Sequence, residues 1–132
     1  MRRSVLDSYA LLPFLRDESG AMPVRRLLES ASGGNITLHM TEVNYAEVKY
    51  MTLRKDGARQ WARVASQLPG LPIEFHSASR KLADLPADLK SKNRISLADA
   101  FAAALAGELG GELVTGDPEF KCLEPMLKIK WI

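Results

Sequence analysis

Four acidic residues stand where a carboxylate needs a physical reason: Asp7, Glu47, Asp99 and Asp117. Asp7 closes the short opening Ser4-Val5-Leu6. Glu47 borders an apolar stripe in mid-helix, one turn from both Val43 and Met51. Asp99 lies near the start of an almost wholly apolar helix, and Asp117 follows the strand-like residues Leu113, Val114 and Thr115. Each also has a local reading. Asp7 can start the next helix. Asp99 can be the acidic arm of a capping box, Ser96-Leu97-Ala98-Asp99. Asp117 can serve the turn Gly116-Asp117-Pro118, and Glu47 can occupy an exposed helix edge. The combination says more than any one position. Burying a carboxylate is costly unless something compensates it, and all four are hard oxygen ligands with no histidine or cysteine placed among them. That donor set suits Mg²⁺ or Mn²⁺ rather than zinc. Such ions serve phosphodiester hydrolysis by positioning and helping to ionise a water and by stabilising charge on the phosphate.

The elements that must position these acids alternate between strand and helix. Ser4 to Leu6 reads as a first strand, with Ser8 to Leu12 turning or coiling after it and Pro13 tolerated in a first helical turn. Met22 to Ser32 has helical spacing, with Val24, Leu27, Leu28 and Ala31 on one face, and Gly33-Gly34-Asn35 ends it. Ile36 to Met40 is a second strand. Thr41 caps a helix that runs to about Lys55, with an expected inward face of Val43, Ala46, Tyr50 and Leu53. A helix over Ala58 to Gln67 stops at Pro69-Gly70, and Leu71 to Phe75 reads as a third strand. Ser77 to Leu85 is helical, with an irregular stretch from Pro86 to Arg94. The capped helix from Ser96 to about Leu109 leads through glycines to a strand at Leu113. Met126 to Ile132 alternates apolar residues with lysines, the period of a partly exposed terminal strand. Alternating elements of this kind imply an α/β domain with a mainly parallel sheet. Ligands of such sheets gather beyond the carboxyl ends of the strands, where Asp7 and Asp117 fall.

The bulk properties limit the classes. A chain of 132 residues fits a single domain, 1–132, able to bury a core. A net charge of +2 permits contact with a polyanion without establishing it. No apolar run reaches membrane-spanning length, and Asp7, Ser4 and Ser8 interrupt any signal-like start, so the expectation is a soluble, cytoplasmic protein with no membrane partner. The single cysteine, Cys122, excludes an internal disulfide and a cysteine-rich zinc site.

In chain order, Val5-Leu6-Asp7-Ser8, Asn44-Tyr45-Ala46-Glu47, Leu97-Ala98-Asp99-Ala100 and Val114-Thr115-Gly116-Asp117 resemble the four blocks of a PIN domain. Over nearly its whole length the chain resembles the small ribonuclease toxins of VapBC toxin–antitoxin pairs. The resemblance implies a three-layer α/β/α fold with a central, mainly parallel sheet. It implies a Mg²⁺- or Mn²⁺-dependent endoribonuclease with Asp7, Glu47, Asp99 and Asp117 as the catalytic, metal-holding acids, leaving a 5′-phosphate and a 3′-hydroxyl. It also implies a cognate antitoxin and a homodimer. Thr115 matches the family's polar residue before the last acid, Ser8 is a second supporting candidate, and Tyr9 stands where a smaller residue is frequent. Lys90, Lys92 and Arg94 are candidate contacts to RNA phosphates or a solvated basic segment. The alternatives are a catalytically idle RNA-binding or protein-interaction module, and a metal-dependent phosphatase or DNA nuclease. His39 and His76, far apart in sequence, have no obvious partners. Cys122 reads as a packed or idle thiol, Trp61 and Trp131 as packing residues, and Glu119, close enough to Asp117 to reach a metal, as solvating its connection.

Overall fold

A strand closed by a polar residue that caps the following helix is the local unit from which this chain is built. The computed structural model describes residues 2–18 and 21–132. The first unit is β1 (Arg2–Leu6), whose end residue Asp7 accepts the backbone N–H of Ala10 and so starts α1 (Ser8–Leu15). After α2 (Met22–Ser32), the second is β2 (Ile36–Thr41), where Thr41 accepts the N–H of Asn44 and starts α3 (Glu42–Asp56). Then follow α4 (Ala58–Gln67), β3 (Ile73–His76), α5 (Arg80–Lys92), and α6 (Leu97–Leu109), which is capped by Ser96. β4 (Glu112–Thr115) and β5 (Ile129–Trp131) complete the sheet. In each cap an oxygen takes one of the N–H groups that a helix start leaves without an internal partner.

The five strands are all parallel, in the order β3-β2-β1-β4-β5. β1 is therefore central, between β2 and β4, and its carboxyl end points Asp7 into the middle of one sheet edge. Because side chains alternate along a strand, β1 serves two cores. Leu6 joins Leu38, Met40 and Val114 beneath α1 to α4, while Val5 joins Leu113 beneath α6. Every residue from Asp99 to Ala106 of α6 is buried. Its alanines let the helix lie close on the sheet. The fold is thus the three-layer α/β/α arrangement read from the sequence, with a wholly parallel sheet.

Four local details differ from the sequence reading. Pro13 sits in the interior of α1 rather than its first turn, where it removes the bond to the Tyr9 carbonyl. α3 buries Asn44, Val48 and Thr52, while Tyr50 and Leu53 are exposed. α5 begins at Arg80, after Ser77 to Ser79, and is one helix that runs through the buried Pro86 to Lys92. β5 begins only at Ile129, after an exposed Met126. No helix among the described residues is long and apolar enough to cross a membrane.

Candidate active site

Asp7 is the most deeply buried acid among the described residues. It is 1% exposed, its Oδ1 accepts the Ala10 N–H at 2.7 Å, and its Oδ2 accepts the Thr115 hydroxyl at 2.5 Å. Thr115 also accepts the N–H of Asp117 at 3.0 Å. One hydroxyl at the end of β4 therefore fixes both the Asp7 carboxylate and the backbone that carries Asp117. Asp117 in turn accepts the N–H of Glu119 at 2.9 Å and starts the short helical turn Pro118–Leu123.

The other two acids arrive on helices. Glu47 extends from the middle of α3, where its Oε1 accepts the Ser8 hydroxyl of α1. Asp99 lies in the first turn of α6, with its N–H on the Ser96 hydroxyl at 3.1 Å. Asn44 sets the spacing between these two helices. It is fully buried, is bonded through its side chain and its N–H to Thr41 at 2.5 and 3.0 Å, and donates from Nδ2 to the Ala98 carbonyl at 3.2 Å. That last bond ties α3 to the start of α6, one residue before Asp99.

These placements bring three of the four sequence-predicted acids, Glu47, Asp99 and Asp117, to one cleft. That cleft, of about 230 Å³, is lined by Glu47, Asp99, Asp117 and Glu119, with Ser8, Ser96, Tyr9 and Tyr50 among its other walls. Asp7 does not line it. It is buried nearby, close enough to feel the charges of Asp99 and Asp117. The tightest group of carboxylates is Asp99, Asp117 and Glu119, with ligand oxygens within 4.8 Å of one another. Glu119, read from sequence as a solvated connector, therefore belongs to the cleft. Its spacing of two from Asp117, across Pro118, is the signal that marks it. Tyr9 is half exposed and forms part of the cleft wall. Elsewhere a larger hollow of about 550 Å³, lined by Tyr45, Leu68, Phe75 and others, gathers one acid only, Glu42. Chemistry, not volume, selects the site.

The electrostatics follow from this crowding. Burial pushes Asp7 up to about 7, and the charges of Asp99 and Asp117 add to the rise against the opposing bonds from Thr115 and Ala10. Burial also pushes Asp99 up to about 7, followed by the charges of Asp117 and Glu47, with a bond shared with Glu119 acting the same way. Several carboxylates that disfavour one another's charge in a partly buried cleft call for a compensating cation. An all-oxygen donor set of this kind fits Mg²⁺ or Mn²⁺. Among the basic candidates, Lys90 donates from Nζ to the Ile95 carbonyl at 2.9 Å, and Lys92 and Arg94 are exposed on the same connection, just before the cleft residue Ser96.

Comparison with known proteins gives the family and the fold. The PIN domain family model matches residues 4–124. No curated protein sequence matches the chain significantly. Among solved structures, a chain of VapBC2 from Rickettsia felis, bound to a DNA fragment from its promoter, superposes with a TM-score of 0.74 at 18% identity, covering 97% of both chains. A chain of VapBC-1 from nontypeable Haemophilus influenzae gives 0.70 at 19% identity, over 98% of this chain and 97% of that one. The Mycobacterium tuberculosis toxin VapC20, which cleaves the sarcin–ricin loop, gives 0.73 at 13% identity, over 90% and 93%.

Proposed function

The chain belongs to the PIN domain family, and from that premise we propose that it is a Mg²⁺- or Mn²⁺-dependent endoribonuclease, the toxin of a toxin–antitoxin pair. The observation that carries this reading is the convergence of Glu47, Asp99, Asp117 and Glu119 on one cleft near Asp7, with Asp7 and Asp99 both pushed up to about 7. The resemblance to toxin–antitoxin structures supports it.

Asp7, Glu47, Asp99 and Asp117 would hold the ion, with Glu119 completing the oxygen set. When bound, the ion supplies Lewis acidity and positive charge at the scissile phosphate. The chain's own residues do the rest. Thr115 and the Ala10 N–H fix Asp7 in one orientation, so that ligand is preorganised. Ser8 turns Glu47 toward the same space. Burial and the charges of Asp117 and Glu47 hold the Asp99 carboxyl up and leave it receptive to a compensating cation. Attack in line with the 3′ oxygen leaves a 5′-phosphate and a 3′-hydroxyl. The half-exposed rings of Tyr9 and Tyr50 offer surfaces on which nucleobases can stack at the cleft mouth.

Purified protein incubated with structured RNAs, a sarcin–ricin-loop RNA among them, should cleave in Mg²⁺ or Mn²⁺ and stop in EDTA. Asp99→Asn should slow cleavage by about 100-fold or more, the scale of losing one preorganised electrostatic group. Cleavage that survives both EDTA and Asp99→Asn overturns the mechanism. Retained RNA binding with no metal-dependent cleavage points instead to an idle binding module. Parallel assays on DNA and small phosphoesters separate the remaining nuclease and phosphatase classes. A cognate antitoxin covering the cleft and a homodimer complete the proposal. Emergence of the protein from its native host as an active monomer without a bound partner overturns that part.

A further inference from the structure

The two histidines that the sequence leaves 37 positions apart meet on the sheet. His39 in β2 is the register partner of Glu74 in β3, and His76 pairs two residues further along, opposite Thr41. Alternation along β3 puts Glu74 and His76 on the same face. His39 lies on that face too, next in register to Val5 of the core beneath α6. The result is a side-chain triad presented by two hydrogen-bonded strands. His39 Nδ1 is 2.9 Å from His76 Nε2 and 3.5 Å from Glu74 Oε2, and one ligand atom from each of the three residues falls within 4.8 Å of the others.

We propose that His39, Glu74 and His76 form a second metal site, separate from the carboxylate cleft, that takes Zn²⁺ or a similar borderline transition ion. Zinc bonds of about 2.0–2.1 Å to ligands arranged tetrahedrally separate those ligands by about 3.3 Å, and the two distances above bracket that value. Two imidazoles with one carboxylate are the donor set of a borderline ion, not of Mg²⁺. The outer contact is in place as well. The second nitrogen of His39, Nε2, lies 2.8 Å from the Thr37 hydroxyl. That contact can take the Nε2 proton and leave the Nδ1 lone pair facing His76 and Glu74, the way outer partners orient ligating histidines. Arg3, the neighbouring cation, is engaged through Nη1 with the Leu109 carbonyl at 3.0 Å. One coordination position stays open to water, because Glu74 is exposed and His76 half-buried. Among the described residues β3 pairs only with β2, at the sheet margin, so an ion here staples the edge strand to its neighbour. With strands about 4.8 Å apart, His39 stands one spacing and Glu74 and His76 two spacings, about 10 Å, across the sheet from β1.

The test is a Zn²⁺ titration of the untagged chain in saturating Mg²⁺, read by a competing chromophoric indicator and by thermal unfolding. We expect one Zn²⁺ per chain and a Tm raised by its binding. Glu74→Gln and His76→Gln should each weaken Zn²⁺ by about 100-fold or more, and Thr37→Val by about 10-fold. Glu74 is exposed, so its variant keeps the fold. Asp117→Asn should leave the Zn²⁺ affinity unchanged. Absence of Zn²⁺ binding by the unmutated chain overturns the site. So does binding that Glu74→Gln and His76→Gln leave intact, or that Asp117→Asn removes.

Discussion

Asp7 is more useful to the cleft than to the fold. In water an aspartate has a pKa near 3.8, whereas in the folded chain burial raises Asp7 to about 7 and Asp99 likewise. Between those values the native state binds protons that the unfolded state has released. The metal-free protein therefore keeps its full stability below about pH 4 as far as these two groups are concerned, and loses it progressively as pH rises to about 7. In EDTA the Tm should fall from pH 5 to pH 8, and Mg²⁺ should flatten that slope by binding the ionised pair. A Tm in EDTA that rises across the same window contradicts the assignment. Asp7→Asn removes the charge but keeps an oxygen for the Ala10 N–H. It should stabilise the metal-free protein at pH 8 by about 1–2 kcal/mol while abolishing metal-dependent cleavage, the trade expected where a site is built at the expense of stability.

At the scale of elements, Asn44 and Gly111 show how the acids are brought into register. Asn44 is the only link the hydrogen bonds show between α3 and the start of α6 among the described residues. Asn44→Ala leaves the Ala98 carbonyl and the Thr41 hydroxyl short of a partner. It should cost about 1–3 kcal/mol in denaturant unfolding and also lower cleavage, although it touches neither acid. At the other end of α6, a Cβ on Gly111 would lie 2.4 Å from the Arg3 carbonyl, where β4 enters beside β1. Gly111→Ala should destabilise by about 1–3 kcal/mol, whereas Gly107→Ala, with nothing within 4 Å of the new methyl, should stabilise by about 0.5–1 kcal/mol. The order of elements was legible because apolar period and turn residues are local signals. The inward face of α3 was not. Hydrophobic ranking turns Ala46, Tyr50 and Leu53 inward, but the structure buries Asn44 and Thr52, and Asn44 can be buried because its polar atoms find partners. Pro86 misled for a related reason. Burial of Leu82 and Pro86 holds α5 together across a missing hydrogen bond.

Across the whole molecule, contacts between distant segments are where sequence reasoning ran out. Asp7, Glu47, Asp99 and Asp117 could be named from short blocks, but the nearness of Glu119 to Asp99 depends on a turn after Pro118, and that of His39 to His76 on strand register. The same limit applies to the basic segment. Its three cations alternate in sequence yet are differently placed: Lys90 clips the α5–α6 connection through the Ile95 carbonyl, while Lys92 and Arg94 are exposed shortly before the cleft residue Ser96. A chain of net charge +2 that concentrates carboxylates in its cleft needs positive charge on the rim to approach a polyanion. RNA affinity should therefore be measured against salt on a cleavage-inactive Asp99→Asn background in Mg²⁺. Each phosphate contact on single-stranded RNA contributes about 0.7 to the slope of log K against log salt. Replacing Lys92 and Arg94 together by alanine should shallow that slope by about 1.4 and weaken binding across unrelated RNA sequences alike. Lys90→Ala should leave the slope unchanged and lower the melting temperature, since its ammonium is engaged by backbone. Equal slope losses for all three would mean that RNA draws Lys90 off the Ile95 carbonyl, and that the α5–α6 connection rearranges when the substrate binds.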